Sequence, residues 1–149
     1  MERSLVILKP DAVQRALIGE IVARFERRGL KIIGLKLMWA GRDLAAEHYL
    51  VHKDKKFYGS LIDYITSGPV VVMAVEGPDA IQVVRKTVGD TRPGESPMGS
   101  IRADYGLMIG RNLVHASDGA ETARTELALW FGEDDLVEYT RDLDRWVLE

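Results

Sequence analysis

The stretch Val70-Val71-Val72-Met73-Ala74-Val75 is the strongest strand signal in the chain. It is a continuous run of apolar, mostly β-branched residues between two turn-forming segments, Ser67-Gly68-Pro69 before it and Gly77-Pro78-Asp79 after it. A short apolar run that does not alternate with polar residues is typical of a strand covered on both sides. We therefore predict a strand buried on both faces, and the other elements are interpreted around it.

Three further strands are predicted. Ser4–Leu8 is a short apolar run that ends at Lys9, because Pro10 cannot donate to a strand ladder. Residues 31–39 alternate loosely between apolar and other side chains, which indicates a half-exposed strand. The apolar pair Leu113-Val114 indicates a short one.

Apolar residues at helical spacing predict helices between these strands, in the order β-α-β-α-α-β-α-loop-β-α, where the loop is the aperiodic stretch 89–111. Asp43 is expected to cap one helix, and residues 118–121 are expected to form a capping box for another. Residues 133–149 are acidic, with apolar positions at roughly helical spacing. The simplest fold is a single α+β domain over 1–149, a ferredoxin-like βαββαβ sandwich whose four-stranded antiparallel sheet carries added helices and a long cleft loop.

The composition limits the possible functions. Of the 149 residues, 46% are apolar and 29% are charged, as in globular proteins. There are no cysteines, which excludes disulfides and cysteine-based zinc sites and is compatible with the cytoplasm as the expected location. No signal peptide or membrane span is expected. The net charge of −3 argues against nucleic-acid binding as the main role.

A histidine stands at the end of an apolar segment in Asn112-Leu113-Val114-His115-Ala116-Ser117-Asp118. Together with Glu126, this pattern suits a histidine nucleophile, which needs one ring nitrogen free to attack and the other held by a partner. A surface histidine in a strand-to-helix turn is the simpler alternative. A serine hydrolase is excluded, because there is no G-x-S-x-G motif and Ser117 is only two residues from His115.

The glycine-rich phosphate-binding motifs G-x-x-x-x-G-K-[ST] and G-x-G-x-x-G are both absent. His48 and His52 have the i, i+4 spacing of a zinc pair but lack the glutamate of H-E-x-x-H. The pair Phe57-Tyr58 is either part of the core or a stacking platform. If the ligand is a nucleotide, side chains at element ends and in the long loop must hold its phosphates, and the candidates are Lys9, Arg85, Thr91, Arg102 and Asn112.

Several segments together resemble the nucleoside diphosphate kinase family. In the family's order they are LVILKPDAVQRALIGEI (5–21), EHYLVHKDKKFY (47–58), SGPVVVMAVEG (67–77), VGDTRPGESPMGSIRADYG (88–106), GRN (110–112) and NLVHASD (112–118), with Glu126 behind the last. The resemblance covers essentially the whole chain. Ala116 stands where the family more often has glycine, Gly119 stands where serine is common, and the proline placement in 96–100 differs, but none of these changes removes a reacting group.

The resemblance implies roles for individual residues. His115 matches the histidine that the family phosphorylates on Nδ1, Glu126 matches the carboxylate bonded to its other nitrogen, and Tyr49 and Ser117 flank it. Asp118 matches a carboxylate near Mg²⁺, and the metal ion itself is held mainly by the nucleotide phosphates. The implied nucleotide contacts are Lys9 and Asn112 for ribose and phosphate, His52, Arg85, Thr91 and Arg102 for phosphates, and Phe57, Leu61 and Ile109 around the base.

The implied activity is that of a nucleoside diphosphate kinase. The γ-phosphate of ATP or another triphosphate would pass to a nucleoside diphosphate in a ping-pong cycle through a phosphohistidine at His115, with Mg²⁺ as cofactor. Because stacking depends little on which base is stacked, broad tolerance of base and sugar is expected. The long C-terminal tail resembles that of hexameric forms, so we expect a homohexamer. The alternative is a catalytically silent nucleotide-binding or interaction module of the same fold.

Overall fold

The centre of the molecule is a four-stranded antiparallel sheet, seen in a computed structural model that describes residues 1–149. The strands are β1 Glu2–Leu8, β2 Lys31–Met38, β3 Val70–Gly77 and β4 Val114–Ala116. They lie in the order β2-β3-β1-β4, and each neighbouring pair is antiparallel. This is the ferredoxin-like arrangement, so the predicted fold class is confirmed.

Helices connect the strands. None of them combines the length and the apolar character needed to cross a membrane. The α-helices are α1 Pro10–Gln14, α2 Ile18–Arg27, α3 Arg42–His48, α4 Tyr58–Ile65, α5 Ala80–Val88, α6 Ile101–Tyr105 and α7 Ala120–Trp130. Short 3-10 turns lie at Leu50–His52, Pro93–Glu95, Ile109–Arg111, Glu133–Asp135 and Asp144–Trp146.

Both faces of the sheet are covered by helices. On one face β3 packs with Phe25 of α2 and Val84 of α5. On the other face it packs with Ile65 of α4 and Trp130 of α7. Successive side chains of Val70–Val75 belong to these two clusters in turn, because side chains alternate across a strand. The unbroken apolar run is therefore explained by helices on both sides of the sheet.

The candidate site residues come together at the edge of the sheet where β4 pairs with β1. Ile7 of β1 is the register partner of His115 in β4. Just beyond the end of β1, the backbone N–H of Lys9 donates to the carbonyl of Leu113 at 2.8 Å. Because α7 packs against β1, Glu126 lies beside the same short strand.

Two predicted helix caps were wrong. Helix α3 begins at Arg42 after Gly41, so Asp43 lies in the first turn, where its charge still favours the positive helix end. Helix α7 begins after Gly119, which provides no side-chain cap. Asp118 precedes that position by one residue, too early to bond the first turn as a capping box would.

Two short helices were missed. Helices α1 and α6 have five residues each, too few to show a hydrophobic period. Helix α6 lies inside the predicted loop 89–111, and its local signal is Ser100, whose Oγ accepts from the N–H of Ala103 at 3.3 Å.

The C-terminal tail is not one helix, although its apolar spacing suggested helical structure. It has only the turns Glu133–Asp135 and Asp144–Trp146. Arg141 ties the tail to the end of α2, since its guanidinium donates to the carbonyls of Gly29 at 3.0 Å and Leu30 at 3.1 Å. The tail is therefore held by contacts with another part of the chain as well as by its own short turns.

Candidate active site

His115 projects from the edge strand β4, and its side chain is 22% exposed. Its Nε2 lies 2.7 Å from Oε2 of Glu126, which is buried on α7. Burial raises the pKa of the Glu126 carboxyl, but hydrogen bonds from His115 and Ser117 outweigh that effect and hold the pKa below its usual value. An ionised carboxylate can only accept, so the imidazole hydrogen lies on Nε2 and the lone pair lies on Nδ1.

Ser117 fixes the other oxygen of the same carboxylate. Its Oγ is completely buried, donates to Oε1 of Glu126 at 2.6 Å and accepts from the N–H of Leu5 at 3.3 Å. Both oxygens of Glu126 are therefore held, and the carboxylate has one orientation relative to the imidazole of His115. Ser117 serves the site by orienting Glu126.

His48 is a member of the site that the sequence reasoning considered only as half of a zinc pair. Its ring lies edge-on to that of His115, with centroids 4.4 Å apart, and its Nδ1 accepts from Nε1 of Trp130 at 3.1 Å. Burial, followed by the nearby His115, lowers the pKa of His48 to about 3, so it is neutral. Glu126 and Trp130 are four residues apart on one helix, so their side chains lie on the same face. This spacing is the sequence signal that could have placed Trp130, and with it His48, beside Glu126.

His52 does not join His48 in a group with metal-ligand spacing, so the structure does not support the zinc pair that their i, i+4 spacing raised and the missing glutamate argued against. The group with metal-ligand spacing is instead His48, His115 and Glu126, whose ligand atoms lie within 4.8 Å of one another. Trp130 already donates to Nδ1 of His48, and Glu126 already accepts from His115. These contacts explain the cluster as hydrogen bonding around His115.

Three buried polar atoms at the end of α3 and in the turn that follows it have no partner within the protein. They are Nε2 of His48, Oη of Tyr49 and Nδ1 of His52, and Oγ of Ser4 is the other such atom in the molecule. Burial raises the pKa of the Tyr49 hydroxyl, so it remains a donor. Buried polar groups are normally satisfied, so this concentration favours a site whose partners come from a ligand.

Lys9 and Asn112 form a second cluster. Nζ of Lys9 donates to Oδ1 of Asn112 at 2.8 Å, and Nδ2 of Asn112 donates to the carbonyl of Thr91 at 3.1 Å. Burial, together with the nearby Arg102, lowers the pKa of Lys9 to about 8. The structure thus joins the end of β1 to the long loop through three of the predicted nucleotide-binding residues.

The two arginines of the predicted set are placed differently. Arg102 is buried and donates to the carbonyls of Gly89, Asn112 and Val114, which leaves two of the five N–H donors of a guanidinium for a ligand. Burial and the neighbouring Arg85 lower the pKa of Arg102 to about 10. Arg85 is exposed on α5, and with Asp118 it lines an open cavity of about 810 Å³.

The residues predicted to lie around the base differ in exposure. Phe57 is 47% exposed, and its ring lies 5.5 Å from that of His52 and under Nζ of Lys55 at 5.5 Å. Ile109 is 46% exposed on its 3-10 turn, whereas Leu61 packs against the core on α4. An exposed ring of this kind can stack with any base.

The comparisons with known proteins agree over the whole chain. The family described as "Nucleoside diphosphate kinase" matches residues 2–136. The nucleoside diphosphate kinase of Archaeoglobus fulgidus is 50% identical over 149 residues, which is 100% of this chain and 99% of the relative.

Solved structures agree equally well. A nucleoside diphosphate kinase family protein from Babesia bovis has a TM-score of 0.97 and 49% identity, covering 99% of this chain and 100% of that one. A halophilic nucleoside diphosphate kinase from Halobacterium salinarum, in complex with CDP, has a TM-score of 0.96 and 48% identity, covering 99% of each chain. The chain belongs to the nucleoside diphosphate kinase family.

Proposed function

We propose that this chain transfers the γ-phosphate of ATP or another nucleoside triphosphate to nucleoside diphosphates in a ping-pong cycle through a phosphohistidine at His115. Full-length similarity to nucleoside diphosphate kinases supports this activity, and the catalytically silent alternative is not favoured. The observation that carries the mechanism is the 2.7 Å contact between Nε2 of His115 and Glu126, which leaves the lone pair on Nδ1.

In the first half-reaction, Nδ1 of His115 attacks the γ-phosphorus in line with its bond to the bridging oxygen. The N–P bond forms, the P–O bond breaks, and the nucleoside diphosphate leaves with the bonding electrons. The imidazole gains positive charge while it keeps its Nε2 hydrogen. Glu126 stabilises that charge, and Ser117 keeps the carboxylate oriented toward the ring.

The second half-reaction reverses the first with a different nucleotide. A terminal phosphate oxygen of the acceptor attacks the phosphorus, and the N–P bond breaks with its electrons returning to Nδ1. The same groups serve both directions, because phosphoryl transfer asks a protein mainly for positioning and charge neutralisation. In this proposal the phosphates contact Arg85, the remaining donors of Arg102, Thr91, His52 and Tyr49. Lys9 and Asn112 contact both ribose hydroxyls and phosphate oxygens.

The proposed cofactor is Mg²⁺. Asp118 is exposed next to the start of α7 and lines the cavity that also contains Arg85. A single carboxylate suits Mg²⁺, which is usually held by one or two carboxylates together with substrate phosphates and water. Bound there, the ion would neutralise charge on the phosphates.

The proposed substrates are nucleotides of any base, with ribose or deoxyribose. Support comes from the open position of Phe57 and Ile109 and from the CDP complex of the Halobacterium salinarum protein. A stacked base contributes roughly 1–3 kcal/mol whatever its identity.

A homohexamer built from a single domain over 1–149 is the proposed assembly, and the cytoplasm is its proposed location. The edge strand β2 leaves Leu35 and Leu37 exposed, with Trp39 just beyond it, and the tail exposes Trp146. Apolar side chains at the open edge of a sheet favour contact with another chain. Sedimentation or light scattering would measure the assembly.

The experiment that tests the activity uses ATP labelled at the γ-phosphate. The protein is mixed with labelled ATP and Mg²⁺, quenched in base and assayed for bound label before and after addition of GDP. Acid-labile, base-stable label that passes into GTP is the expected result. Label that forms but is not discharged would contradict the second half-reaction, and no label with ADP still bound would favour the silent module.

A further inference from the structure

Leu113 occupies a backbone conformation that its side chain disfavours. Its φ is +73°, and the N–H of Val114 donates to the carbonyl of Asn112 at 2.8 Å. A hydrogen bond across two residues with this φ defines a γ-turn of the rare and strained kind. Such strain persists only where surrounding contacts over-determine it, and it is concentrated at functional sites.

Four hydrogen bonds surround this turn. The N–H of Lys9 donates to the carbonyl of Leu113 at 2.8 Å. The N–H of Leu113 donates to Oδ2 of Asp11 at 3.2 Å. Arg102 binds the two flanking carbonyls, those of Asn112 and Val114. Among the groups that hold the turn, Asp11 is the one side-chain acceptor.

Asp11 is itself fixed from a different helix. Its second oxygen, Oδ1, accepts a hydrogen bond from the hydroxyl of Tyr64 on α4. Two cations lie over the ring of Tyr64, Nζ of Lys9 at 5.4 Å and the guanidinium of Arg111 at 4.7 Å. The carboxylate therefore links α1, α4 and the strained turn.

The turn lies between two residues of the proposed reaction. Asn112 precedes Leu113 and binds Nζ of Lys9, and His115 follows two residues later in the strand that the turn begins. Relaxation of Leu113 to a common backbone conformation would move both residues relative to each other. Displacements of about 1 Å at a reacting group can cost on the order of 10²-fold in rate.

We propose that Asp11, held by Tyr64, is a positioning residue that keeps the turn at Leu113 strained and so places Asn112 and His115 for phosphoryl transfer. This inference rests on the proposed function for its effect on rate. Its effect on the turn can be measured independently.

The test compares Asp11→Ala with Asp11→Asn. An asparagine oxygen can still accept from the Leu113 N–H and its amide can donate to Tyr64, whereas alanine removes both contacts. We expect Asp11→Ala to accelerate hydrogen exchange of the Leu113 amide and to slow single-turnover phosphorylation of His115 by about 10–100-fold. Asp11→Asn should remain within a few-fold of wild type in both measurements.

Two further variants complete the design. Asp63→Ala is the matched control, because Asp63 is an exposed carboxylate on α4 that pairs with Arg42 at 2.9 Å and is not among the groups around the turn. Should Asp11→Ala not fold, Tyr64→Phe removes one bond to Asp11, and a smaller slowing with faster Leu113 exchange is expected.

Unchanged exchange of the Leu113 amide in folded Asp11→Ala would overturn the inference. An Asp11→Asn variant as slow as Asp11→Ala would also overturn it, because the charge of Asp11 near Lys9 would then matter instead of the hydrogen bond to the turn. If wild type accepts no label, the proposed function fails, while the exchange measurements still decide whether Asp11 holds the turn.

Discussion

Two ends of the candidate site differ in burial and in how firmly their side chains are held. The histidine end consists of His115, Glu126, Ser117 and His48, and the base end consists of Phe57 and Ile109. At the histidine end, both oxygens of Glu126 are bonded and the ring of His48 is locked by Trp130. At the base end, the ring of Phe57 is 47% exposed and lies 5.5 Å from the ring of His52 and 5.5 Å from Nζ of Lys55. The difference follows from chemistry, since in-line transfer demands fixed angles whereas stacking needs only a flat apolar face.

The protonation equilibria show the same contrast. The pKa of Glu126 is held low and the pKa of His48 is lowered to about 3, so the hydrogens around the nucleophile are fixed at neutral pH. Substitutions at the histidine end should therefore reduce the rate of the chemical step. Substitutions at the base end should reduce nucleotide affinity.

The largest effect is expected for His115→Gln. This variant has no imidazole nitrogen to attack phosphorus, so phosphoryl transfer should fall by at least about 10⁴-fold, as expected for loss of a covalent nucleophile. ADP should still bind, because the exposed base end is unchanged. Labelled ATP and equilibrium dialysis with ADP measure the two properties, and turnover near that of wild type would refute the role of His115.

Glu126→Gln should have the next largest effect. The neutral amide retains the size of the side chain but loses the charge that stabilises the positive imidazole, so phosphorylation should slow on the order of 10²–10³-fold. The matched control is Glu121→Gln, an exposed glutamate in the first turn of the same helix. Single-turnover rates and melting temperatures should be compared, and a wild-type rate in folded Glu126→Gln would contradict the orienting role.

The buried end illustrates what can and cannot be predicted from sequence. The residue pattern around His115 and Glu126 suggested a histidine nucleophile, and the family resemblance then favoured that role over a surface histidine. His48 was not placed, because its contact with Trp130 joins residues 82 positions apart that no local pattern connects. The positive φ of Leu113 could not be foreseen either, since leucine gives no turn signal and the conformation depends on Asp11 and Lys9.

The fold shows the same division. The long strands and helices follow from hydrophobic periodicity, which burial on one or both faces imposes. Helices of five residues, such as α1 and α6, carry too little periodic signal. The tail was misread because Arg141 binds carbonyls of Gly29 and Leu30, a tertiary contact that overrides local spacing.

The pH dependence of kcat/KM tests the cluster of Lys9 and Asn112. Lys9 has a pKa lowered to about 8, so it is charged below that pH and neutral above it. A neutral amine attracts phosphate oxygens less than a charged one. Because kcat/KM reports ionisations of the free enzyme, kcat/KM should fall as pH rises through about 8. If the charge of Lys9 is essential, the fall should approach tenfold per pH unit.

Lys9→Arg provides the comparison for this pH profile. A guanidinium stays charged to a much higher pH, so the alkaline limb should move upward or disappear, even if the maximal activity is lower. The measurement is initial rate at low substrate between pH 6 and about 10, with the folded state monitored at each pH. An alkaline limb that is identical in both proteins would assign it to a group other than Lys9.

The smallest effect is expected for Phe57→Ala at the exposed end. The ring is only partly buried, so its removal should weaken each nucleotide by about 1 kcal/mol, roughly fivefold in affinity and at the low end for base stacking. The loss should be similar for purine and pyrimidine diphosphates and should appear in KM, with kcat nearly unchanged. Tyr58→Phe is the control, since the hydroxyl of the neighbouring Tyr58 donates weakly to Ala46 at 3.4 Å. An effect confined to one base would mean that the base end recognises base edges. An effect confined to kcat would mean that the base end is coupled to the histidine end.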